Sequence, residues 1–303
     1  MSLMRLAEIE RHAASMEELQ RIVGAMRAIA SMRMQEAVRA LASVREYGSA
    51  FAEGVSEALA IAAEEAPMIA DGSVGRTDAT RAPAGHSGRR AVVLFASEHG
   101  FVGGFNQRLV AAIEADSAAG DALLIVGGRG AAVAAERGHD AAWECPLATR
   151  LTGIPEVVRL LEERLLPLIT RAEVVRVDVI FSRCLRSGEL AIERRRLFPL
   201  QLAAVSPKRV GLTPLHDLAA PDLLEKLTAG YISAQLTEAA TEALAAENAA
   251  RFAAMASARD NVARKLEALR LDASRARQEE VTTELLDLIT GEQADEEHLM
   301  VNR

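Results

Sequence analysis

Two glycine-rich stretches hold the residues of this chain whose types and spacing could bind a phosphate group or a nucleotide. The first, LLIVGGRGAAVAAERG at 123–138, has the order of strand, glycine-rich turn and helix that dinucleotide-binding sites use. That fingerprint is G-x-G-x-x-G or A, and counted from Gly128 its last position is Val133. The spacing therefore favours a tight strand-to-helix turn over a cofactor site.

The second stretch is FASEHGFVGGFNQRL at 95–109, where a predicted strand ends and a helix begins near Asn106. Gly100, Gly103 and Gly104 allow a backbone path with positive φ or a close approach of two backbone segments. The amides at the start of a helix could also bind an anion. We expect an unusual turn here, with anion binding as the alternative.

The rest of the chain lacks the spacing of a catalytic or metal site. It contains no G-x-x-x-x-G-K-[ST] loop, so we expect it to hold no ATP phosphates itself. The histidines are scattered without an H-x-x-x-H pair, and Cys145 and Cys184 lack metal-ligand spacing. We find no pairing of nucleophile and base, and the acids are typical of solvated helix surfaces. The sequence predicts no cofactor, no metal and no catalytic residue.

Composition restricts the partners that this chain can have. Half of its residues are hydrophobic, only 3% are aromatic, and the net charge is -8. The acidic balance argues against a nucleic-acid-binding protein, and the scarcity of aromatics favours long, closely packed helices. No stretch has the roughly 20 apolar residues of a bilayer span, and residues 1–20 lack the apolar core of a signal peptide. We expect any membrane part to come from other chains.

Two long segments with helical periodicity lie at the two ends of the chain, at 1–62 and 218–290. The first contains no proline, and the second contains none after Pro221, which suits a first helical turn. Apolar or small residues recur at steps of three and four, which is typical of a coiled-coil seam. A helix of about 70 residues would be roughly 100 Å long, so it needs a partner along its length. The seam residues that we predict are Met16, Leu19, Val23, Met26, Ala30, Met34, Ala37, Leu41 and Val44, and Phe252, Met255, Val262, Leu266, Leu269, Ala273 and Ala276.

The region between the two helical segments has a different pattern. Residues 63–90 are rich in Gly, Pro, Ser and Thr, and we predict a mobile surface loop. Residues 91–205 alternate strand and helix signals, which predicts a small, largely parallel sheet with one antiparallel hairpin. The predicted fold is therefore α/β plus a long antiparallel coiled coil, with a Rossmann-like domain inserted between the N- and C-terminal helices. Residues 291–303 follow the second helical segment as a C-terminal extension of it.

Five arginines of the N-terminal helix recur every six residues, at Arg21, Arg27, Arg33, Arg39 and Arg45. Successive members of this series point in three directions, because each residue turns a helix by about 100°. Two interpretations stay open. The series is ordinary solvated charge, or it is a bearing surface that meets a polar or acidic wall at several angles.

Three segments, in this order, carry the signatures of one protein family: QRIVGAMRAIASMRM (20–34), SEHGFVGGFN (97–106) and the helix at 247–291. They resemble the N-terminal Q-K-I-T-K-A-M run, the Asp-[Arg/Lys]-Gly-Leu-Cys-Gly-Gly loop, and the E-x-A-A-R-M and R-Q-x-x-I-T-x-E stretches of the gamma subunit of F-type ATP synthases. LFPL (197–200) is similar to the element that ends the α/β domain of that family.

The resemblance implies a central-stalk rotor subunit without chemistry of its own. Such a subunit transmits torque between the membrane c-ring and the catalytic alpha/beta ring, and makes the three catalytic sites unequal. The implied partners are the alpha, beta and epsilon subunits and the c-ring, with one copy per complex. The residues matching the family's contacts with the alpha/beta ring are Met26, Arg27, Arg251, Arg277, Gln278, Thr282 and Glu284, and the loop near the rotor base has Gly100, Gly103, Gly104 and Asn106.

Several positions depart from the family pattern. Glu98-His99 replaces the usual Asp-Arg, Phe101-Val102 replaces Leu-Cys, and the N-terminal lead-in is unusually acidic. These departures indicate a divergent form, in line with an alternative ATPase operon. The implied location is peripheral, at the cytoplasmic side of the bacterial plasma membrane. A coiled-coil structural scaffold is one alternative, but it explains neither the α/β insertion nor the Arg-Gln and Thr-x-Glu close of the C-terminal helix. A small-molecule enzyme is the other, but the sequence lacks the phosphate loop or catalytic cluster that it needs.

Overall fold

Two helices, α1 (Ser2–Glu65) and α5 (Ala220–Val301), are the longest elements of the computed structural model, which describes residues 2–65, 89–115, 120–185, 188–200 and 217–301. Both run past the ends predicted from the sequence, and α5 continues into the segment 291–303. Pro221 lies in the first turn of α5, where its missing N–H costs no helical hydrogen bond. Most of the predicted loop, residues 66–88, lies outside the described part.

The sheet between the two helices has five strands in the order β3-β2-β1-β4-β5. β1 pairs in parallel with β2 and β4, β2 pairs in parallel with β3, and β4 pairs antiparallel with β5. The predicted parallel sheet with one hairpin is therefore confirmed. The strand bounds are β1 (Arg89–Phe95), β2 (Ala122–Val126), β3 (Trp143–Cys145), β4 (Val174–Cys184) and β5 (Leu190–Phe198).

Helices cover both faces of this sheet: α2 (Phe105–Glu114) and α3 (Gly128–Glu136) on one face, α4 (Ile154–Thr170) on the other. Side chains alternate between the faces along each strand, so each face has its own core. Val93 and Phe95 of β1 pack with α4, α1 and α5. Val92 and Leu94 pack with α2 and α3. This alternation explains the uninterrupted apolar run of β1.

The chain forms two compact units, and each long helix contributes to both. We call Ala30–Phe252 the sheet unit, and Met1–Ile29 with Ala253–Arg303 the two-helix unit. In the sheet unit, α1 and α5 approach closely. A Cβ added to Gly230 would lie 2.0 Å from the Phe51 ring. The small seam residues Ala30 and Ala37, which the sequence predicted, are also buried in this unit.

The two-helix unit has a thinner apolar seam. Its predicted seam residues are buried at Val23, Met255, Val262, Leu266 and Ala276. The prediction is wrong at Leu19, whose side chain is 40% exposed. The packing of α1 against α5 is antiparallel, because Glu10 pairs with Arg277 and Glu17 with Arg270.

Over the described ranges, no helix has the combination of length and apolar character that crossing a bilayer requires.

Candidate functional site

In the glycine-rich loop after β1, Asn106 forms hydrogen bonds with Ser97 at the start of the loop. The Asn106 Oδ1 accepts a hydrogen bond from the backbone N–H of Ser97 at 3.1 Å, and its Nδ2 donates to Ser97 Oγ at 2.7 Å. Gly103 has a φ of 58°, the left-handed region that favours glycine. Phe101 has a φ of 61° and its side chain is 68% exposed. The loop therefore presents an aromatic ring to solvent on a strained backbone.

Arg251 of α5 holds this loop from the other side. Its Nη2 donates to His99 O at 3.2 Å and Gly100 O at 3.3 Å, and it lies 2.6 Å from Glu247 Oε1. Its Nη1 donates to Asn248 Oδ1 at 3.4 Å. The Arg251 side chain is buried, so these contacts satisfy a charge that would otherwise be costly.

Glu98 connects the loop to the rest of the sheet unit. Its backbone N–H donates to Glu247 Oε2 at 3.2 Å, and its Oε2 accepts from the N–H groups of Gly128 at 3.0 Å and Leu147 at 2.8 Å. A carboxylate at the N-terminus of α3 is favourable, because the first amides of a helix carry partial positive charge. This is the place where a dinucleotide fingerprint would bind a phosphate, and a side chain of the protein occupies it.

The strand-to-helix turn at 126–130 is as tight as the sequence predicted. A Cβ on Gly127 would lie 2.5 Å from Ala96 O, and one on Gly130 would lie 2.0 Å from Ala96 Cβ. Gly127 also has a φ of 121°. The glycines therefore allow α3 to pack directly on the end of β1.

The seven residues predicted to contact the alpha/beta ring fall in both units. Arg251 belongs to the sheet unit and has its observed partners within the chain, so the expected ring contact stays a prediction. Arg277 and Gln278 are exposed, and Arg277 pairs with Glu10. Thr282 Oγ1 donates to Gln278 O at 2.7 Å, back along the helix. Met26 and Arg27 are half-buried, and the Glu284 side chain lies outside the described residues.

The arginine series of α1 is not uniform in the structure. Arg45 Nε lies 3.1 Å from Glu238 Oε1, and Arg45 Nη2 pairs with Glu242. Arg45 therefore joins α1 to α5. Arg21 and Arg39 are exposed on α1. The bearing-surface interpretation stays a prediction for the earlier members of the series.

Two carboxylates of α5, Glu238 and Glu242, join four elements of the sheet unit. Arg195 of β5 lies 2.8 Å from Glu238 Oε2, and Arg183 of β4 lies 3.3 Å from Glu242 Oε1. Both carboxylates also bind Arg45 of α1. The sequence did not lead us to predict a role for these two acids or for Glu247. Glu247 and Arg251 do have the i,i+4 spacing of an ion pair on one helix.

The two carboxylates have opposite pKa shifts. Burial raises the pKa of Glu242, and its pairs with Arg45 and Arg183 only partly offset this. Burial acts in the same direction on Glu238, but hydrogen bonds from Arg195 and Arg45 outweigh it, so the pKa of Glu238 is lowered.

Burial, followed by the charge of Glu98, raises the pKa of the Cys145 thiol to about 12. Within the described ranges, no three His, Cys, Asp or Glu side chains are placed to hold a metal ion.

Comparison with known proteins covers nearly the whole chain. A protein-family model described as ATP synthase matches residues 5–294. The ATP synthase gamma chain of Phenylobacterium zucineum (strain HLK1) is 29% identical over 300 residues, which is 95% of this chain and 99% of that one. The ATP synthase gamma chain of Anaeromyxobacter dehalogenans (strain 2CP-C) is 26% identical over 303 residues, with 95% and 99% covered.

Solved structures with the same fold come from ATP synthases. A chain of the Euglena gracilis mitochondrial ATP synthase, in a structure of OSCP, F1 and c-ring, matches with a TM-score of 0.64 at 13% identity, covering 96% of this chain and 94% of that one. A chain of the Tetrahymena thermophila mitochondrial central stalk and c-ring matches with a TM-score of 0.51 at 14% identity, covering 78% and 99%. This chain therefore belongs to the ATP synthase family, among its gamma chains.

Proposed function

We infer that this chain is the central-stalk rotor subunit of a rotary F-type ATP synthase. The observation that carries this inference is the family match over residues 5–294, which includes most of both long helices and the whole sheet. The subunit does no bond chemistry itself, since ATP synthesis and hydrolysis take place on the alpha and beta subunits. Its function is to couple the conformations of the catalytic sites to rotation of the stalk. In thermodynamic terms this is a coupling free energy between distant sites.

The paired helices suit this function because torque requires a stiff element. In the sheet unit, close packing at Gly230 and the pairs made by Glu238 and Glu242 tie α1 and α5 to the sheet. In the two-helix unit, the pairs of Glu10 with Arg277 and Glu17 with Arg270 are exposed. Exposed ion pairs contribute only about 0–1 kcal/mol each. Contacts of this strength between the chain and a surrounding ring could form and break during rotation.

We propose that Met26, Arg27, Arg277, Gln278, Thr282 and Glu284 contact the alpha/beta ring. Exposure of the Arg277 and Gln278 side chains supports this assignment, because they are accessible to a surrounding partner. For Arg251 we keep the predicted ring contact and propose a second role within the chain. It is a positioning residue that holds the loop containing Gly100, Gly103, Gly104 and Asn106 near the rotor base.

The chain is part of the membrane-associated F1 complex. At a finer level, we propose that one copy per complex contacts the epsilon subunit and the membrane c-ring, with residues 91–205 at the base. We further propose that the complex lies at the cytoplasmic side of a bacterial plasma membrane. The bacterial gamma chains that match this sequence support that location.

Reconstitution tests the function directly. The chain is mixed with its cognate alpha and beta subunits, and the mixture is separated by size exclusion and assayed for ATP hydrolysis. We expect a stable ternary complex whose hydrolysis rate exceeds that of alpha and beta without this chain. Absence of the chain from the alpha–beta peak would contradict the assignment and favour a scaffold protein.

A further inference from the structure

The two carboxylates of α5 that bind Arg45 differ in how their oxygens are used. Glu238 and Glu242 lie one helical turn apart, so both side chains are on the same face of α5. Glu238 Oε1 lies 3.1 Å from Arg45 Nε, and Glu238 Oε2 lies 2.8 Å from Arg195 Nη1. In Glu242 a single oxygen, Oε1, pairs with both Arg45 Nη2 and Arg183 Nε. Each oxygen of Glu238 thus has its own arginine, whereas two arginines share one oxygen of Glu242.

Glu242 is also the more deeply buried of the two acids. Its side chain is 2% exposed, against 14% for Glu238. A buried carboxylate loses hydration that its partners must replace, and a second carboxylate one turn away adds repulsion. Because Glu242 is deeper and pairs through one oxygen, its charged form is the less favourable of the two. The raised pKa of Glu242 and the lowered pKa of Glu238 agree with this order. Glu242 therefore takes up a proton first when the pH falls.

A third carboxylate belongs to the same cluster. Glu193 Oε1 lies 2.6 Å from Arg195 Nη2, and Glu193 Oε2 lies 3.6 Å from Arg183 Nη1. The positive and negative charges of the cluster balance when every glutamate is ionised, so the uptake of one proton leaves one positive charge unbalanced. We call this cluster the ionic joint. Its members are Arg45, Arg183, Arg195, Glu193, Glu238 and Glu242.

Two neighbouring side chains that could also titrate stay neutral. Cys184 of β4 has a thiol whose pKa is raised above its ordinary value of 9.0 by burial and then by the charge of Glu242. Tyr231 of α5 has a hydroxyl whose pKa burial raises above its ordinary value of 10.0. Both groups keep their protons below pH 8, so in that range the charge of the ionic joint depends on its carboxylates.

The two acids of α5 connect α1 to different strands of the β4–β5 hairpin. Through Glu242, Arg45 of α1 is connected to Arg183 of β4. Through Glu238, the same Arg45 is connected to Arg195 of β5. Because Glu242 is neutralised before Glu238, the first connection can be lost while the second is kept.

We propose that the ionic joint is a proton-sensitive connection between the first helix and the sheet. A proton from solvent binds the carboxylate of Glu242 and removes the charge that Arg45 and Arg183 share. Helix α1 then loses its connection to β4 and keeps the one to β5 through Glu238. The side chains of Arg45 and Arg183 are 41% and 43% exposed, so water can solvate the guanidinium groups that are released. Because every contact of the joint lies within the chain, the proposal does not depend on the proposed function.

The test compares the two arginines of the hairpin in the full chain. Arg183→Gln removes the β4 partner of Glu242, and Arg195→Gln removes the β5 partner of Glu238. Both variants also lose a contact with Glu193, so each controls for the other. Urea denaturation measures the unfolding equilibrium constant of each variant and of the unaltered chain, from pH 8 down to pH 4.5, the ordinary pKa of a glutamate.

We expect Arg183→Gln to raise the unfolding equilibrium constant about tenfold at pH 8 and about twofold at pH 4.5. At the lower pH Glu242 is protonated in the folded chain, so it has no charge for Arg183 to pair with. Arg195→Gln should raise the constant by a similar factor at both pH values, because Glu238 stays ionised in the folded chain. Equal pH dependence of the two variants overturns the proposal.

Repeating Arg183→Gln in the Glu242→Gln background assigns the proton. In that background the factor should be small and the same at every pH. If the pH dependence of Arg183→Gln persists without the Glu242 carboxylate, the proton belongs to Glu193 and the proposal is wrong.

A second measurement uses the unaltered chain and so requires no variant to fold. Hydrogen exchange is compared at pH 8 and pH 4.5 between residues 38–52, which surround Arg45, and α4, after correction for the intrinsic effect of pH on exchange. We expect the protection of 38–52 to fall on the order of tenfold relative to that of α4 at the lower pH. An unchanged ratio overturns the proposal. Assembly with alpha and beta is measured on the same preparation, and its failure contradicts the proposed function alone.

Discussion

The Nη2 of Arg251 lies 2.6 Å from the Oε1 of Glu247, one helical turn earlier on α5, and this pair fixes the glycine-rich loop at two points. Arg251 binds the loop carbonyls of His99 and Gly100, and Glu247 accepts the N–H of Glu98. A loop with two residues at positive φ is thus held by a buried ion pair. Its conformation depends on α5 as much as on its own glycines.

Replacing Arg251 should therefore free the loop and destabilise the sheet unit. We expect Arg251→Ala to lower the free energy of unfolding by about 3–5 kcal/mol, because Glu247 is left as a buried, unpaired carboxylate. Chemical denaturation measures the loss, and hydrogen exchange at residues 98–104 reports the loop. The exposed Arg259→Ala is the matched control on the same helix. Unchanged exchange in the loop would show that Arg251 does not position it.

Adding one methyl group to the turn before α3 should be costly. We expect Gly130→Ala to destabilise the fold by about 1–3 kcal/mol, since its Cβ would lie 2.0 Å from that of Ala96 and the backbone must move. Gly104→Ala is the control, because a Cβ there meets nothing within 4 Å. Thermal unfolding of both variants provides the comparison. Equal melting temperatures would contradict the close packing of α3 on β1.

The two carboxylates of α5 should give opposite responses to pH. The pKa of Glu238 in the folded chain is below its ordinary value of 4.5, so its stabilising effect is present above 4.5 and lost as the pH falls through the folded-state pKa. The pKa of Glu242 is above 4.5, so its effect is fully present below 4.5 and lost as the pH rises through the folded-state pKa.

We therefore expect Glu238→Gln to lower stability at pH 7 and to weaken the loss of stability in acid. Glu242→Gln mimics the protonated form that the folded state favours, so it should lose less stability at pH 7 than Glu238→Gln. Urea denaturation of the full chain between pH 4 and pH 8 measures both effects. The assignment of opposite shifts is wrong if the two variants lose the same stability at pH 7.

Variants of the exposed ion pair of Glu10 and Arg277 distinguish a contribution to stability from a contact of Arg277 with a partner subunit. Removal of either side chain breaks the same ion pair, which should cost at most about 1 kcal/mol. If Arg277 also contacts the alpha/beta ring, Arg277→Ala should lower the coupled ATPase rate of the reconstituted complex, whereas Glu10→Gln should not. The same turnover in both variants would count against the ring contact.

Local periodicity made much of the fold predictable. Steps of three and four residues located α1 and α5, and the alternation of strand and helix signals located the sheet between them. The strand β3 could not be predicted in this way, because a segment of three residues has no detectable period. Leu19 was placed on the seam by spacing alone, yet it is exposed. Spacing identifies a face of a helix but not how far the partner covers it.

The site was predictable only where one segment determines it. The loop glycines and Asn106 lie within ten residues of each other, so their turn could be expected. Partners such as Glu98 and Glu247 are 149 residues apart, and Arg45 and Glu238 are 193 apart. A single sequence contains no signal for such pairs, because they depend on how the sheet brings distant helices together.

The separation of α1 from α5 along the chain has a consequence during synthesis. Ala30, Ala37 and Leu41 lie on the buried face of α1. The core to which this face belongs also contains residues of α5, which is translated after the whole sheet. At ribosomal speeds this delay is on the order of ten seconds, and an isolated helix gains little stability without a tertiary partner. The first helix to be made is therefore among the last to reach its final environment, and the face that it buries in the folded chain stays exposed to solvent until then.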